Sequence, residues 1–144
     1  SRSKTTDKVI VYPRHKNSFK SIIKKMKKPC VLYLLADEDI SLDDSIFTDF
    51  FDTQKATLKS ISKLAKLTNS KVLPCMSTYN LDSNNFFFKV FPALDNFPSN
   101  NIVEDCLKIN ECLQQQILFD ISQYMWTLRI YKHRPDGSDV YKVQ

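Results

Sequence analysis

Short apolar runs alternate with amphipathic stretches along this chain, and that alternation leaves few architectures open to it. The runs are Cys30–Ala36 (CVLYLLA), Lys71–Thr78 (KVLPCMST) and Phe86–Phe91. Cys30–Ala36 is continuously apolar, as expected of a strand buried on both faces of a sheet. It runs out into Asp37-Glu38-Asp39, acids at the end of a strand where open α/β sheets usually bind ligands. Pro74 marks the second run as an edge or a bulge. The polar turn Asn80–Asn85 predicts an antiparallel hairpin between the second run and the third.

Between the runs lie stretches of helical period. Asn17–Lys28 spaces Phe19, Ile22, Ile23 and Met26 on one face with lysines opposite, and Ser18 is placed to cap it. Gln54–Thr68 carries a stripe of Ala56 or Thr57, Leu58, Ile61, Leu64 and Ala65, with Asp52 or Thr53 as cap. Ile102–Leu118 repeats Ile102, Val103, Cys106, Ile109 or Asn110, Leu113 and Ile117. Asn100 or Asn101 caps it, and Glu104 and Asp105 sit in its first turn, where they favour the helix dipole. Ser41–Thr53 reads as a loop packed over the core through Ile46, Phe47, Phe50 and Phe51. With Val9–Tyr12 as a lead-in strand the order is β-α-β-α-β-β-α. That predicts an α/β layered fold with a central mixed sheet flanked by helices, in one domain.

Gly137 is the only glycine among 144 residues, so asparagines at 69, 80, 96 and 100 are expected to end helices and make turns. The net charge is +5, with cations crowded between Arg2 and Lys28 and again at Lys132–Arg134, and acids between Asp37 and Asp52. This asymmetry points to an anionic partner, although a solvated basic face would read the same way. Cys30, Cys75, Cys106 and Cys112 lack the spacing of a zinc site, and Cys30 and Cys75 read as small buried hydrophobes. No metal or cofactor is expected. No apolar run reaches the roughly 18 residues of a membrane span.

The densest signal is C-terminal: Gln123-Tyr124-Met125-Trp126, then Arg129, Lys132, His133, Arg134, Pro135, Asp136 and Gly137. It resembles the C-terminal signature of the bacterial lipid A biosynthesis (lauroyl/myristoyl) acyltransferases. Further landmarks of that family follow in order: Asp37-Glu38-Asp39 after an apolar strand, Ile46-Phe47-Thr48-Asp49-Phe50-Phe51, Lys55-Ala56-Thr57, Leu64-Ala65-Lys66 and Val72-Leu73-Pro74. Ser41 and Ser60 stand near where the family has glycine, and Leu128 precedes Arg129 where it often has His-Arg. The family's catalytic His-x4-Asp/Glu is absent, since Lys20 lies five residues after His15 and Ser138 five after His133.

The resemblance implies a glycerolipid-acyltransferase-like fold, incomplete at the N-terminus, with residues 1–144 as the C-terminal part of a single domain. It implies transfer of an acyl chain from acyl carrier protein to a hydroxyl of a phosphorylated glycolipid, the lipid A precursor. The work would be done at the anionic cytoplasmic face of the bacterial inner membrane. No catalytic residue is expected in this chain, which alone is expected to be inactive. Asp37 would support the site by charge or hydrogen bonding, Arg2 could hold an acceptor phosphate, and Arg129, Lys132 and Arg134 could bind lipid phosphates or pair with the Asp37–Asp52 acids. Trp126 and Tyr124 read as anchors, Trp126 as buried, and His15 and His133 as exposed. The alternatives are a non-catalytic basic module for nucleic acid or lipid, or a degenerate remnant. Nucleic acid is disfavoured, because the aromatics fall in apolar runs rather than alternating with cations on an open face.

Overall fold

The computed structural model describes residues 9–12 and 16–142, in two compact units that divide between Tyr33 and Leu34. The first unit holds helix α1, Lys16–Met26, which starts earlier than Ser18, so that residue lies inside the helix rather than at its cap. Phe19, Ile22, Ile23 and Met26 share its less exposed face, as the spacing predicts. Val9–Tyr12 is not a strand, and Val9, Ile10 and Val11 are exposed.

The second unit contains β1 (Ser45–Phe50), β2 (Thr53–Leu58), α2 (Ser60–Thr68), β3 (Cys75–Asn80), β4 (Asn85–Val90) and α3 (Ile102–Phe119). The chain is therefore α/β. Instead of one central mixed sheet, the described residues form two separate antiparallel hairpins, β1–β2 and β3–β4. The run Cys30–Ala36 forms no strand and is largely exposed, Val31 at 96 %. A strand buried on both faces needs neighbours to pair its backbone and cover its side chains, and the described residues supply none.

The β1–β2 hairpin replaces the loop expected over Ser41–Thr53 and the start of the expected second helix. Phe50 pairs with Thr53 across a two-residue turn in which Phe51 takes φ +51°. That left-handed conformation suits the turn but is uncommon without glycine. Helix α3 holds the turn, as Gln114 Oε1 accepts a hydrogen bond from the Phe51 backbone N–H. Deeper in, three buried polar side chains close a ring. Asn110 Nδ2 donates to Thr48 Oγ1 (3.0 Å), Thr48 Oγ1 to Thr57 Oγ1 (3.1 Å) and Thr57 Oγ1 back to Asn110 Oδ1 (3.0 Å). Asn110 Nδ2 also reaches the Asp49 carbonyl at 2.9 Å. A helix over Gln54–Leu58 would break this ring, so tertiary bonding overrides the helical period.

Helix α2 begins only at Ser60, buries Ile61, Leu64 and Ala65, and ends at Asn69 in the left-handed conformation (φ +51°). Asn96 has the same glycine-like role, but Asn84 takes it in the β3–β4 loop while Asn80 bonds Ser83 from inside the strand. Asn101 caps α3, accepting from Val103 N–H at 3.0 Å and donating to Glu104 Oε1 at 2.8 Å, a reciprocal arrangement that stabilises the first turn. Buried Asp105 accepts from Ser99 N–H at 2.8 Å and from the Ser62 hydroxyl, tying α3 to α2. The β3–β4 hairpin pairs Cys75 with Val90 through Asn80 with Asn85, as expected, but all six residues of β4 are exposed. Cys30 is exposed and Cys75 half-buried, while Cys106 is the fully buried cysteine. No helix among the described residues is long and apolar enough to cross a membrane.

Asn110→Ala removes the amide that closes the ring while leaving the Thr48 and Thr57 hydroxyls buried. The expected loss of stability is about 2–3 kcal/mol, read from urea unfolding. A loss below about 0.5 kcal/mol would show that the ring does not seat the hairpin.

Candidate functional site

The C-terminal segment after α3 has little regular structure, and packing fixes its path. A 3₁₀ turn at Ile121–Gln123 leads out of α3. Ile130 is then buried with Phe50 and Ile117, and Leu113, Tyr124, Leu128 and Tyr131 pack around them. Gln123 ties the segment to the other hairpin: its amide nitrogen donates to the Tyr79 carbonyl at 2.8 Å, and its carbonyl accepts from Tyr79 N–H. Trp126 is not the buried anchor its size suggests. It is 56 % exposed, its indole N–H bonded to the Ile121 carbonyl at 2.8 Å.

This path carries two side chains onto the acids that follow the apolar run. Tyr124 donates its hydroxyl to Asp37 Oδ2 at 3.2 Å. His133 approaches Asp39 twice, through its backbone N–H to Oδ2 (2.7 Å) and through Nδ1 to Oδ1 (2.6 Å). The Asp39 side chain is fully buried and the imidazole about a quarter exposed (24 %). A carboxylate behind Nδ1 fixes the ring and leaves Nε2 as its outward nitrogen, the usual way to orient an imidazole. His133 is therefore a held residue rather than the exposed one expected.

Lys55 lies in the same region. It is fully buried on β2, its Nζ has no hydrogen-bond partner among the described residues, and the ammonium sits 5.8 Å from the Phe50 ring centroid. Burial lowers its pKa, and the negative charges of Asp37 and Asp39 act against that shift. Burial also raises the Tyr124 hydroxyl well above the usual phenol range, reinforced by the charge and hydrogen bond of Asp37. The arrangement is a low-dielectric cluster of two carboxylates, one buried cation, a phenol and an oriented imidazole. Such a cluster can hold fixed charge and aim hydrogen bonds.

The expected cations are placed differently from one another. Arg134 donates to the Gln54 carbonyl (3.1 Å) and to Thr53 Oγ1 (2.7 Å), with its guanidinium 5.5 Å from the Tyr131 ring centroid, so it clamps the β1–β2 turn. Arg129 is exposed with its guanidinium 5.7 Å from the Tyr141 ring, and Lys132 is exposed. Asp37 and Asp39 are met by Tyr124 and His133, which the charge pattern did not single out. Arg2 and His15 lie outside the described residues. Nothing in the sequence singled out Lys55, because the stretch that holds it shares the helical period of α2.

The bacterial lipid A biosynthesis acyltransferase family model matches residues 2–133, joining both halves of this cluster in one match. The chain belongs to that family. It is 32 % identical over 125 residues to a lipid A biosynthesis acyltransferase of Haemophilus influenzae, covering 87 % of this chain and 39 % of that relative. It is 28 % identical over 121 residues to the lipid A biosynthesis myristoyltransferase of Escherichia coli, covering 84 % of this chain and 38 % of the relative. The corresponding figures for the lauroyltransferase of the same organism are 25 % over 123 residues, 85 % and 40 %. The chain spans about two fifths of the length of the curated relatives it matches. Within this acyltransferase family member, the signature Tyr124 and the Asp37 element are hydrogen-bonded partners across 87 residues of sequence.

Tyr124 gives the cluster a pH signature. A hydroxyl whose pKa is raised on folding contributes stability that is complete below the unfolded pKa, about 10, and lost as pH rises above it. Tyr124→Phe is expected to lower stability at pH 7 by about 1 kcal/mol and to shrink the fall in stability between about pH 10 and 11. Urea unfolding at both ends of that range reads the difference. An unchanged alkaline slope would show that Tyr124 ionises as it does when unfolded.

Proposed function

We propose that these 144 residues serve as the C-terminal part of a single lipid A secondary acyltransferase domain. The family match over residues 2–133 carries this reading. The reaction is transfer of an acyl chain from acyl carrier protein to a hydroxyl of the lipid A precursor, at the cytoplasmic face of the inner membrane. The exposed run Val31–Leu35 then becomes an inner strand of the layered, glycerolipid-acyltransferase-like sheet, which accounts for an apolar segment left in water.

In this reading the general base that removes the hydroxyl proton is the family's His-x4-Asp/Glu, which this sequence does not contain. Asp37 is a positioning residue, held by Tyr124 and charge-balanced by buried Lys55. Arg129 and Lys132, both exposed, face phosphates of the acceptor or of the membrane. Arg2 adds a further phosphate contact. Arg134 has its guanidinium committed to Gln54 and Thr53, so its part is to keep the cationic segment in place.

The 144-residue chain, supplied with radiolabelled acyl-acyl carrier protein and a tetra-acylated lipid A precursor, is expected to show no transfer above background. Turnover would overturn the assignment of the general base to residues outside it. Fluorescence titration with the same phosphorylated glycolipid and with an oligonucleotide of equal charge tests the ligand class. Glycolipid should bind more tightly, and Arg129→Ala with Lys132→Ala should weaken it about tenfold or more. Preference for the oligonucleotide would remove the lipid reading.

A further inference from the structure

Strand β4 is open on a face and along an edge at once. Phe86, Phe88 and Val90 are 81 %, 62 % and 52 % exposed. They alternate along the strand and so share one face, beside Tyr79, whose ring lies 4.9 Å from that of Phe86. The opposite face is partly engaged: Lys89 sits 4.9 Å from the Phe91 ring centroid and 4.1 Å from that of Phe119 at the end of α3.

The edge follows from the ladder. Phe91 N–H donates to the Pro74 carbonyl, so in the alternating antiparallel pattern the N–H groups of Phe86, Phe88 and Val90 point away from β3. The sheet has β3 as the only described neighbour of β4. On the β3 side the equivalent outward groups of Tyr79 are already taken by the Gln123 amide. One of the three outward positions of β3 is thus closed, while among the described residues all three of β4 are open, so β4 offers the longer free edge.

These two features together select the occupant. A lipid surface could cover the phenylalanines but would leave the outward N–H and C=O groups unsatisfied in hydrocarbon, which is costly. A polypeptide strand added at the edge answers both, pairing the backbone and laying alternate side chains against the aromatic face. The matched relatives carry about three fifths of their length beyond the part that aligns with this chain. We propose that β4 receives a strand from that remaining portion of the acyltransferase domain, through its outer edge and the Phe86–Phe88–Val90 face. The proposal rests on the reading of this chain as one part of a larger domain.

The test titrates the full 144-residue chain with a fluorescently labelled polypeptide, the portion of the Haemophilus influenzae relative outside the matched residues. Saturable binding is expected, weakened at least tenfold by Val90→Pro, which removes an outward N–H without touching the ladder to β3. Val90→Thr keeps that N–H and should bind as the parent does. Phe88→Asp should weaken binding through the face. Circular dichroism of Val90→Pro should match the parent, and a collapsed spectrum would overturn the assignment of that N–H to the outer edge. Absence of binding by the parent, or binding indifferent to Val90→Pro, overturns the proposal. So does self-association of the chain alone that Val90→Pro abolishes, which would make a second copy the occupant. Binding to phosphatidylglycerol vesicles that is lost in Phe88→Asp but kept in Val90→Pro would assign the face to lipid. Strand docking without acyl transfer by the joined parts would leave the surface standing and remove the enzymatic reading, whereas failed docking removes the surface alone.

Discussion

The closed ring of Asn110, Thr48 and Thr57 is the contact on which the second unit depends. It joins the middle of α3 to both strands of the β1–β2 hairpin, and its three side chains are buried. Buried polar groups are costly unless each finds a partner, so the ring accepts one register of the hairpin on the helix and penalises others. With β1 fixed, Phe50 sits beside Ile117, and the pair forms the seat that takes Ile130. The path of the whole C-terminal segment follows from that seat.

That path brings the Asp37–Asp39 acids together with the C-terminal signature. Tyr124 bonds one acid and His133 the other, while the Lys55 Nζ lies buried nearby with no hydrogen-bond partner among the described residues. Charge alone would have sent arginines and lysines to those acids. The backbone geometry sends the guanidinium of Arg134 to the β1–β2 turn instead, where Thr53 Oγ1 and the Gln54 carbonyl satisfy it. Partial burial then makes the Tyr124 phenol a better partner for Asp37, because a neutral hydroxyl loses less on leaving water than a full charge does.

Much of the local structure was legible. The period of Ile102–Leu118, the Asn101 cap, the β3–β4 hairpin and the end of α2 at Asn69 depend on neighbours within a few residues, and such signals survive in a single sequence. The β1–β2 hairpin was not legible. Its turn lacks glycine, its second strand shares a helical stripe with α2, and the bonds that decide it come from Asn110 and Gln114 on a distant helix. The central sheet expected from three apolar runs is likewise not formed among the described residues: the second and third runs pair with each other alone, and Cys30–Ala36, which needs neighbours on both sides, forms no strand.

By itself the sequence determined the family, because ordered landmarks from Asp37 to Gly137 are a linear property that needs no coordinates. It also determined where α1, α3 and the β3–β4 hairpin lie, because hydrophobic period and caps act over short range. Only the tertiary structure decided which partners those landmarks take. Trp126 is left exposed while Tyr124 is drawn to Asp37, His133 is held by Asp39, and Lys55 is buried between hairpin and acids. Each of these outcomes follows from the seating of one hairpin on one helix, a contact across about 60 residues that no local pattern records.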